Sequence, residues 1–243
     1  MKLDGNLLII GDSFCQAEHH WPSYLRAKIS YPQHVVPRNA TRVHTFPGGG
    51  WWPIQQEIYR TLTGDTAWFD QIKLLIIIHP FTSRVFSTDT QIHRSCAVEL
   101  PMTWSANDFD EATIAHSLYY KYIYNKNFHD WAQLKWFDEL GQLLAAHPQI
   151  MSIHLFDHKE TLSLLPRSKL AAGANRRFMN TTLMDIARSQ YKSHNIASMS
   201  SDDDLGFYNH FTPYNNIVFA DQLYKIINFE QDDFDLTQFK PYE

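Results

Sequence analysis

The stretch Leu7-Leu8-Ile9-Ile10-Gly11-Asp12-Ser13 predicts a buried strand that ends in a tight turn. A short continuous apolar run is typical of a strand covered on both faces, as in a parallel sheet. Gly11 permits the tight exit, and a helix is predicted to follow over Cys15–Ile29. Ser13 then stands at the strand end, where backbone N–H groups face a developing negative charge. Asp12 is a candidate to cap the helix or to brace the loop. The alternative is that Asp12 and Ser13 serve only as helix caps.

Further strand-length runs alternate with helical patterns along the chain. The predicted strands are Leu74–Ile78, Met151–Phe156 and, more weakly, Arg42–Thr45 and Asn195–Met199. The predicted helices are Trp52–Leu62, Glu111–Ala146 (as two helices), Ala174–His194 and Pro213–Ile227. This alternation predicts an α/β fold, a three-layer α/β/α sandwich with a mostly parallel five-stranded flavodoxin-like sheet. In such folds the ligand crevice lies at the carboxyl ends of the strands.

The chain of 243 residues predicts one domain over residues 1–228, with an inserted aromatic cap at about 85–127. A surface helix pair that merely packs is the alternative to the cap. An acidic tail, 229–243, holds five acidic residues and one lysine, and so contributes −4 of the net charge of −5. We interpret the tail as a solvated extension, with docking of its aromatic residues as the alternative.

The remaining body is nearly neutral, which argues against general attraction to nucleic acid or to an anionic membrane. No apolar run approaches the roughly 18 residues of a membrane span, and the N-terminus lacks the pattern of a signal peptide. Two cysteines suit a reducing compartment. The sequence therefore predicts a cytoplasmic protein.

A second group of residues, Asn209-His210-Phe211-Thr212-Pro213, precedes the last predicted helix. A serine nucleophile needs a base, and His210 is the candidate. Thr212 is a favourable N-cap and Pro213 a favourable first helical residue. This places His210 in a loop at the mouth of the same crevice as Ser13. A solvated surface histidine is the alternative.

A third group, Pro47-Gly48-Gly49-Gly50-Trp51-Trp52, follows the predicted strand Arg42–Thr45. Glycines let a ligand approach the backbone, and the N–H groups of Gly49 and Gly50 are candidate oxyanion donors. A phosphate-binding loop is disfavoured because no Lys-Ser/Thr follows. The tryptophans are interpreted as lining a substrate groove or as core.

A metal site is the third kind of function considered. His154, Asp157 and His158 are ligand types close in sequence, but residues four apart on a strand lie about 13 Å apart. We therefore expect no metal and interpret these histidines as surface residues. Cys15 lies in the first predicted helical turn, where a thiol is either activated by the helix N-terminus or packed and inert.

Together these groups resemble the SGNH (GDSL-like) hydrolase superfamily. Gly11-Asp12-Ser13 matches its first block, a glycine among residues 48–50 its second, and Asn209-His210-Phe211-Thr212-Pro213 its last. The resemblance spans roughly residues 7–227. It implies Ser13 as nucleophile, His210 as base, backbone N–H groups as oxyanion donors, and no metal or organic cofactor.

The sequence departs from this superfamily in two places. The usual asparagine after the third strand is absent from His79-Pro80-Phe81-Thr82-Ser83-Arg84, which leaves His79, Thr82 or Arg84 as the replacement donor. The position three residues before His210 is Phe207 instead of aspartate. Asp203 or Asp204 is the candidate partner of His210, and a Ser-His dyad is the alternative.

The resemblance implies hydrolysis of a carboxylic ester, carried by an acylated sugar or a lipid. The expected partner is therefore a small-molecule or glycan ester. The alternative is a catalytically weak or inactive module that binds a glycan or a protein.

Overall fold

Five parallel strands form one sheet in the order β2-β1-β3-β4-β5. The computed structural model describes residues 5–15, 20–29, 41–46, 50–64, 68–81, 118–119, 122–189 and 211–240, with only the backbone at Ser13 and Phe69. The strands are β1 Asn6–Gly11, β2 Thr41–Thr45, β3 Ile72–His79, β4 Met151–Phe156 and β5 Arg176–Phe178. This is the predicted flavodoxin-like order, which the structure confirms.

Helices cover both faces of the sheet. They are α1 Trp21–Ile29, α2 Trp51–Thr63, α3 Lys126–Ala145, α4 Lys159–Leu164, α5 Leu183–Ser189 and α6 Pro213–Ile227. Because successive side chains of a strand point to opposite faces, β1 contributes to two cores. Leu7 and Ile9 pack with α1, α5 and α6, and Leu8 and Ile10 pack with α2, α3 and α4. The result is the three-layer α/β/α sandwich that the alternation predicts.

The fifth strand differs from the sequence prediction. A helix is predicted over Ala174–His194, but Arg176–Phe178 pairs in parallel with β4, and the helix begins only at Leu183. Phe178 stacks on His154 at 4.7 Å, and the Arg176 guanidinium donates to the carbonyl of Gly141 at 2.7 Å. Tertiary contacts therefore override the local helical pattern, as is common for strands. The predicted strand Asn195–Met199 lies outside the described residues.

The first predicted helix is also shorter than expected. The backbone forms a 3-10 turn over Ser13–Cys15, and α1 begins at Trp21. Most of the predicted cap at 85–127 lies outside the described residues, so the cap remains a prediction. Its last described part leads into α3, which Asn125 caps by accepting the backbone N–H of Phe128 at 3.1 Å.

Residues 229–240 of the acidic tail pack against the body, so the docked alternative is the one observed. Phe234 and Phe239 belong to the core beside α6, and the Phe234 ring stacks on Phe219 at 4.6 Å. The Asp233 carboxylate accepts the backbone N–H groups of Asn180 and Thr181, each at 3.1 Å. The tail thus contributes apolar side chains to the core and a carboxylate to the loop before α5.

Replacing Phe234 by alanine is expected to lower the free energy of unfolding by about 3–5 kcal/mol, the usual cost of removing a buried phenyl ring. Phe234 is 6% exposed, whereas Phe229 in the same tail is 66% exposed. Phe229→Ala is therefore the matched control and is expected to cost less than about 1 kcal/mol. Urea denaturation measures both variants. Equal losses in the two variants would contradict the structural role assigned to the tail.

Candidate functional site

The exit of β1 requires a glycine because β1 and β3 approach closely. A Cβ atom at Gly11 would lie 2.6 Å from Cβ of Ile78, which is a contact no real pair of side chains adopts. The carbonyl of Gly11 accepts the backbone N–H of Phe46 at 2.8 Å, just after β2 ends. The turn that carries Ser13 is therefore held against both neighbouring strands.

Asp12 supports this turn from inside the protein. Its side chain is fully buried, and its Oδ1 accepts the backbone N–H of Phe14 at 3.1 Å. The carbonyl of Asp12 accepts the backbone N–H of Cys15 at 3.1 Å. Asp12 thus braces the loop, which is one of the roles that the sequence suggests for it.

The segment before α6 contacts this turn. The ring of Phe14, which follows Ser13, lies 5.4 Å from the ring of Phe211, which follows His210. Thr212 caps α6 by accepting the backbone N–H of Asn215 at 3.3 Å, as predicted, and Pro213 is the first residue of the helix.

The same contact is reinforced from α6. The Asn216 side chain donates to the carbonyl of Phe211 at 2.9 Å and accepts the backbone N–H of Trp21 at 2.9 Å. The structure therefore holds the segment after Gly11-Asp12-Ser13 against the residues that follow His210.

Gly50 is the described member of the glycine block. It is buried and is the N-cap residue of α2, which begins at Trp51. Several predicted site residues lie outside the described residues: Gly48, Gly49, Thr82, Arg84, Asp203, Asp204, Asn209 and His210.

His79 lies at the end of β3 and is 1% exposed. Its Nε2 is 2.9 Å from Nδ1 of His154, whose Nε2 is 2.9 Å from Oγ of Ser152. The rings of Phe137 and Phe156 lie 5.0 Å and 4.9 Å from the His79 ring. The interpretation of His154 as a surface histidine is therefore wrong, because His154 is fully buried in a chain of hydrogen bonds.

Burial keeps both imidazoles neutral. It lowers the pKa of His79 to about 3, and it lowers the pKa of His154 well below the usual value, with the neighbouring His79 adding to the effect. A neutral imidazole donates through one nitrogen and accepts through the other. Nδ1 of His79 has no hydrogen-bond partner among the described residues. It can act as donor or acceptor, depending on how the Ser152 hydroxyl is turned.

Asp157 is a buried carboxylate that the sequence suggests only as a metal ligand. It follows β4 directly, and its backbone N–H donates to the carbonyl of His79 at 2.9 Å. Its Oδ2 lies 3.2 Å from Nδ1 of His158. An acidic residue immediately after an apolar strand is the signal that could have identified it. Within the described part of the chain, no three His, Cys, Asp or Glu side chains are placed to hold one metal ion.

Cys15 is packed. Its Sγ lies 3.1 Å from the carbonyl oxygen of Asp12. Burial raises the pKa of the thiol well above its usual value, and the Asp12 charge raises it further. The helix-terminus activation considered from sequence is outweighed, because desolvation disfavours the thiolate.

Cys15 is therefore expected to resist alkylation in the native protein. In neutral buffer iodoacetamide should modify Cys15 at least 10-fold faster after unfolding in urea, because the thiolate is the reactive form. Peptide mapping by mass spectrometry measures the alkylation of Cys15 separately from that of Cys96. Native modification as fast as in urea would contradict the packed state.

Comparisons with protein-family models, with curated proteins and with solved structures find no match to this chain. Within the described residues, no helix has the length and apolar character needed to cross a membrane.

Proposed function

We propose that this protein is a serine-dependent hydrolase of carboxylic esters. The observation that carries the proposal is the contact between Phe14 and Phe211 at the carboxyl edge of the parallel sheet. Each of these rings directly follows one member of the proposed Ser13–His210 pair in the sequence. Ligand sites in open α/β sheets lie at this edge, which supports the same location.

In the proposed reaction the Ser13 hydroxyl oxygen attacks the acyl carbonyl carbon, and His210 takes the hydroxyl proton. The backbone N–H groups of Ser13 and of Gly49 or Gly50 stabilise the oxyanion. His210 then protonates the departing alcohol as the ester C–O bond breaks. Water attacks the acyl-enzyme with His210 again as base, and this step releases the acid and restores Ser13.

The remaining proposed residues orient the His210 imidazole or recognise the substrate. Asp203 or Asp204 holds the His210 imidazole, and a dyad without either is the alternative. Asn209 and Thr82 are proposed substrate contacts, and Arg84 suits an anionic group on the substrate. The chemistry needs no metal and no organic cofactor.

A fluorophosphonate probe tests the proposal, because it phosphonylates an activated serine. We expect one adduct on wild-type protein, mapped to the Ser13 peptide. The adduct should be absent in Ser13→Ala and strongly reduced in His210→Ala. A folded wild-type protein that never labels and never cleaves a short p-nitrophenyl ester would refute the proposal.

A module that binds a glycan or a protein without catalysis is the second candidate. One observation favours it: the strand-three end lacks the usual asparagine, and His79, which stands there, is buried among Phe137 and Phe156. Losing one oxyanion donor costs roughly 3–4 kcal/mol of transition-state stabilisation. The labelling experiment separates the two candidates.

A further inference from the structure

An open groove of about 660 Å³ runs along the outer face of α2. It begins at Phe46, whose backbone N–H donates to the carbonyl of Gly11, and reaches Thr63 and Gly64 at the end of the helix. One end of the groove therefore lies beside the strand that leads into Ser13. The other end lies one helix length away.

Two aromatic rings in this groove face water. Trp52 is 42% exposed and Tyr59 is 60% exposed. Tyr59 follows Trp52 by seven helical positions, so their Cα atoms stand about 10.5 Å apart along the helix axis on nearly the same face. Trp51 packs edge-on against Trp52 at 5.7 Å and orients its ring. Exposed aromatic rings that line one groove together with polar side chains are typical of a binding surface.

Planar polar groups lie along the same face. The Glu57 carboxylate is held by Arg60, with a hydrogen bond of 2.6 Å, and by His44 at 3.1 Å. The Arg60 side chain is 64% exposed, and Gln56 is also exposed, so both have N–H groups that face water. A lipid chain would gain nothing from these groups. For a nucleic acid backbone, the described lining of the groove offers Arg60 as its one cation, and Arg60 is already paired with Glu57.

We propose that this groove binds a saccharide chain. The negative faces of the Trp52 and Tyr59 rings suit the C–H faces of pyranose rings. The spacing of their Cα atoms along the helix is close to the length of a disaccharide unit. Gln56 and Arg60, both exposed, provide hydrogen bonds to sugar hydroxyls. The further statement that this saccharide carries the ester cleaved at Ser13 rests on the proposed function, whereas the binding itself does not.

Isothermal titration with cellotetraose, xylotetraose and tetra-N-acetylchitotetraose tests the binding. We expect at least one of the three to bind the wild-type protein. We expect Trp52→Ala and Tyr59→Ala each to weaken that binding at least 10-fold. Trp131→Ala is the matched control, since Trp131 is an exposed tryptophan on α3. It should bind as the wild type does, and circular dichroism checks that every variant is folded.

The inference is overturned when none of the three oligosaccharides binds at millimolar concentration. It is also overturned when folded Trp52→Ala and Tyr59→Ala bind as tightly as wild type. Serine labelling without saccharide binding would remove the groove proposal and leave the hydrolase. Saccharide binding that depends on Trp52, without any labelling at Ser13, would support the groove proposal and remove the hydrolase proposal.

Discussion

Ser13→Ala is expected to lower kcat for a short p-nitrophenyl ester by roughly 10⁴–10⁶-fold, the range found when a serine hydrolase loses its nucleophile. The loss is large because the alanine side chain cannot form the acyl-enzyme. His210→Ala is expected to cause a loss of the same order, since in the proposed mechanism the two side chains act as one unit. The double variant should therefore be little worse than either single variant.

Ser163→Ala is the matched control for this experiment. Ser163 lies exposed on α4, where its hydroxyl donates to the carbonyl of Glu160 at 2.7 Å. We expect kcat to stay within twofold of wild type in this variant. Ester hydrolysis that survives in Ser13→Ala at the wild-type rate would place the chemistry elsewhere.

The second large effect concerns acid stability and comes from His79 and His154. Both pKa values are lowered in the folded protein, to about 3 for His79, whereas a free imidazole titrates near pH 6.5. Below about pH 6.5 these two imidazoles therefore bind protons in the unfolded chain but stay neutral in the folded protein. The stabilisation is complete above that pH and falls as the pH is lowered toward 3. In the middle of this window the shift of His79 contributes a slope of about 1 kcal/mol per pH unit, and His154 adds a slope of the same sign.

Urea denaturation at pH 7.0, 6.0, 5.0 and 4.5 measures this slope. The double variant His79→Gln/His154→Gln removes both titrating groups, so we expect a flatter dependence on pH whatever its stability at pH 7. His147→Gln makes the same substitution at a partly exposed histidine and is the matched control. A wild-type unfolding free energy that stays constant from pH 6.5 to 4.5 would contradict the buried, neutral pair.

The sequence predicts the fold where the local pattern and the tertiary environment agree. Met151–Phe156 and Pro213–Ile227 have the predicted bounds, because an apolar run and a Thr-Pro cap specify them locally. The sequence does not predict the strand Arg176–Phe178, because a three-residue edge strand with two arginines has no apolar run. Its guanidinium partners lie in α3 and in the loop before the strand, which no short window of sequence contains.

The candidate site, like the fold, is predictable only where neighbouring residues in the sequence determine the contact. Asp12 and Thr212 act through neighbours two or three residues away, so their supporting roles follow from local rules. The burial of His154 depends on His79, which is 75 residues away, and on the strand register that joins them. Sequence alone offers no sign of that pairing. The docking of Phe234 onto Phe219 is a long-range contact of the same kind.

The docked tail also has a consequence for protein synthesis. Phe239 contributes to the core beside α6, and the Lys240 backbone exchanges two hydrogen bonds with the Asn215 side chain. These residues leave the ribosome after the other residues of this core, and domains form from the N-terminal side during synthesis. This core layer therefore cannot close until residue 240 has emerged from the ribosome. A truncation before Phe239 would remove the segment that completes the core.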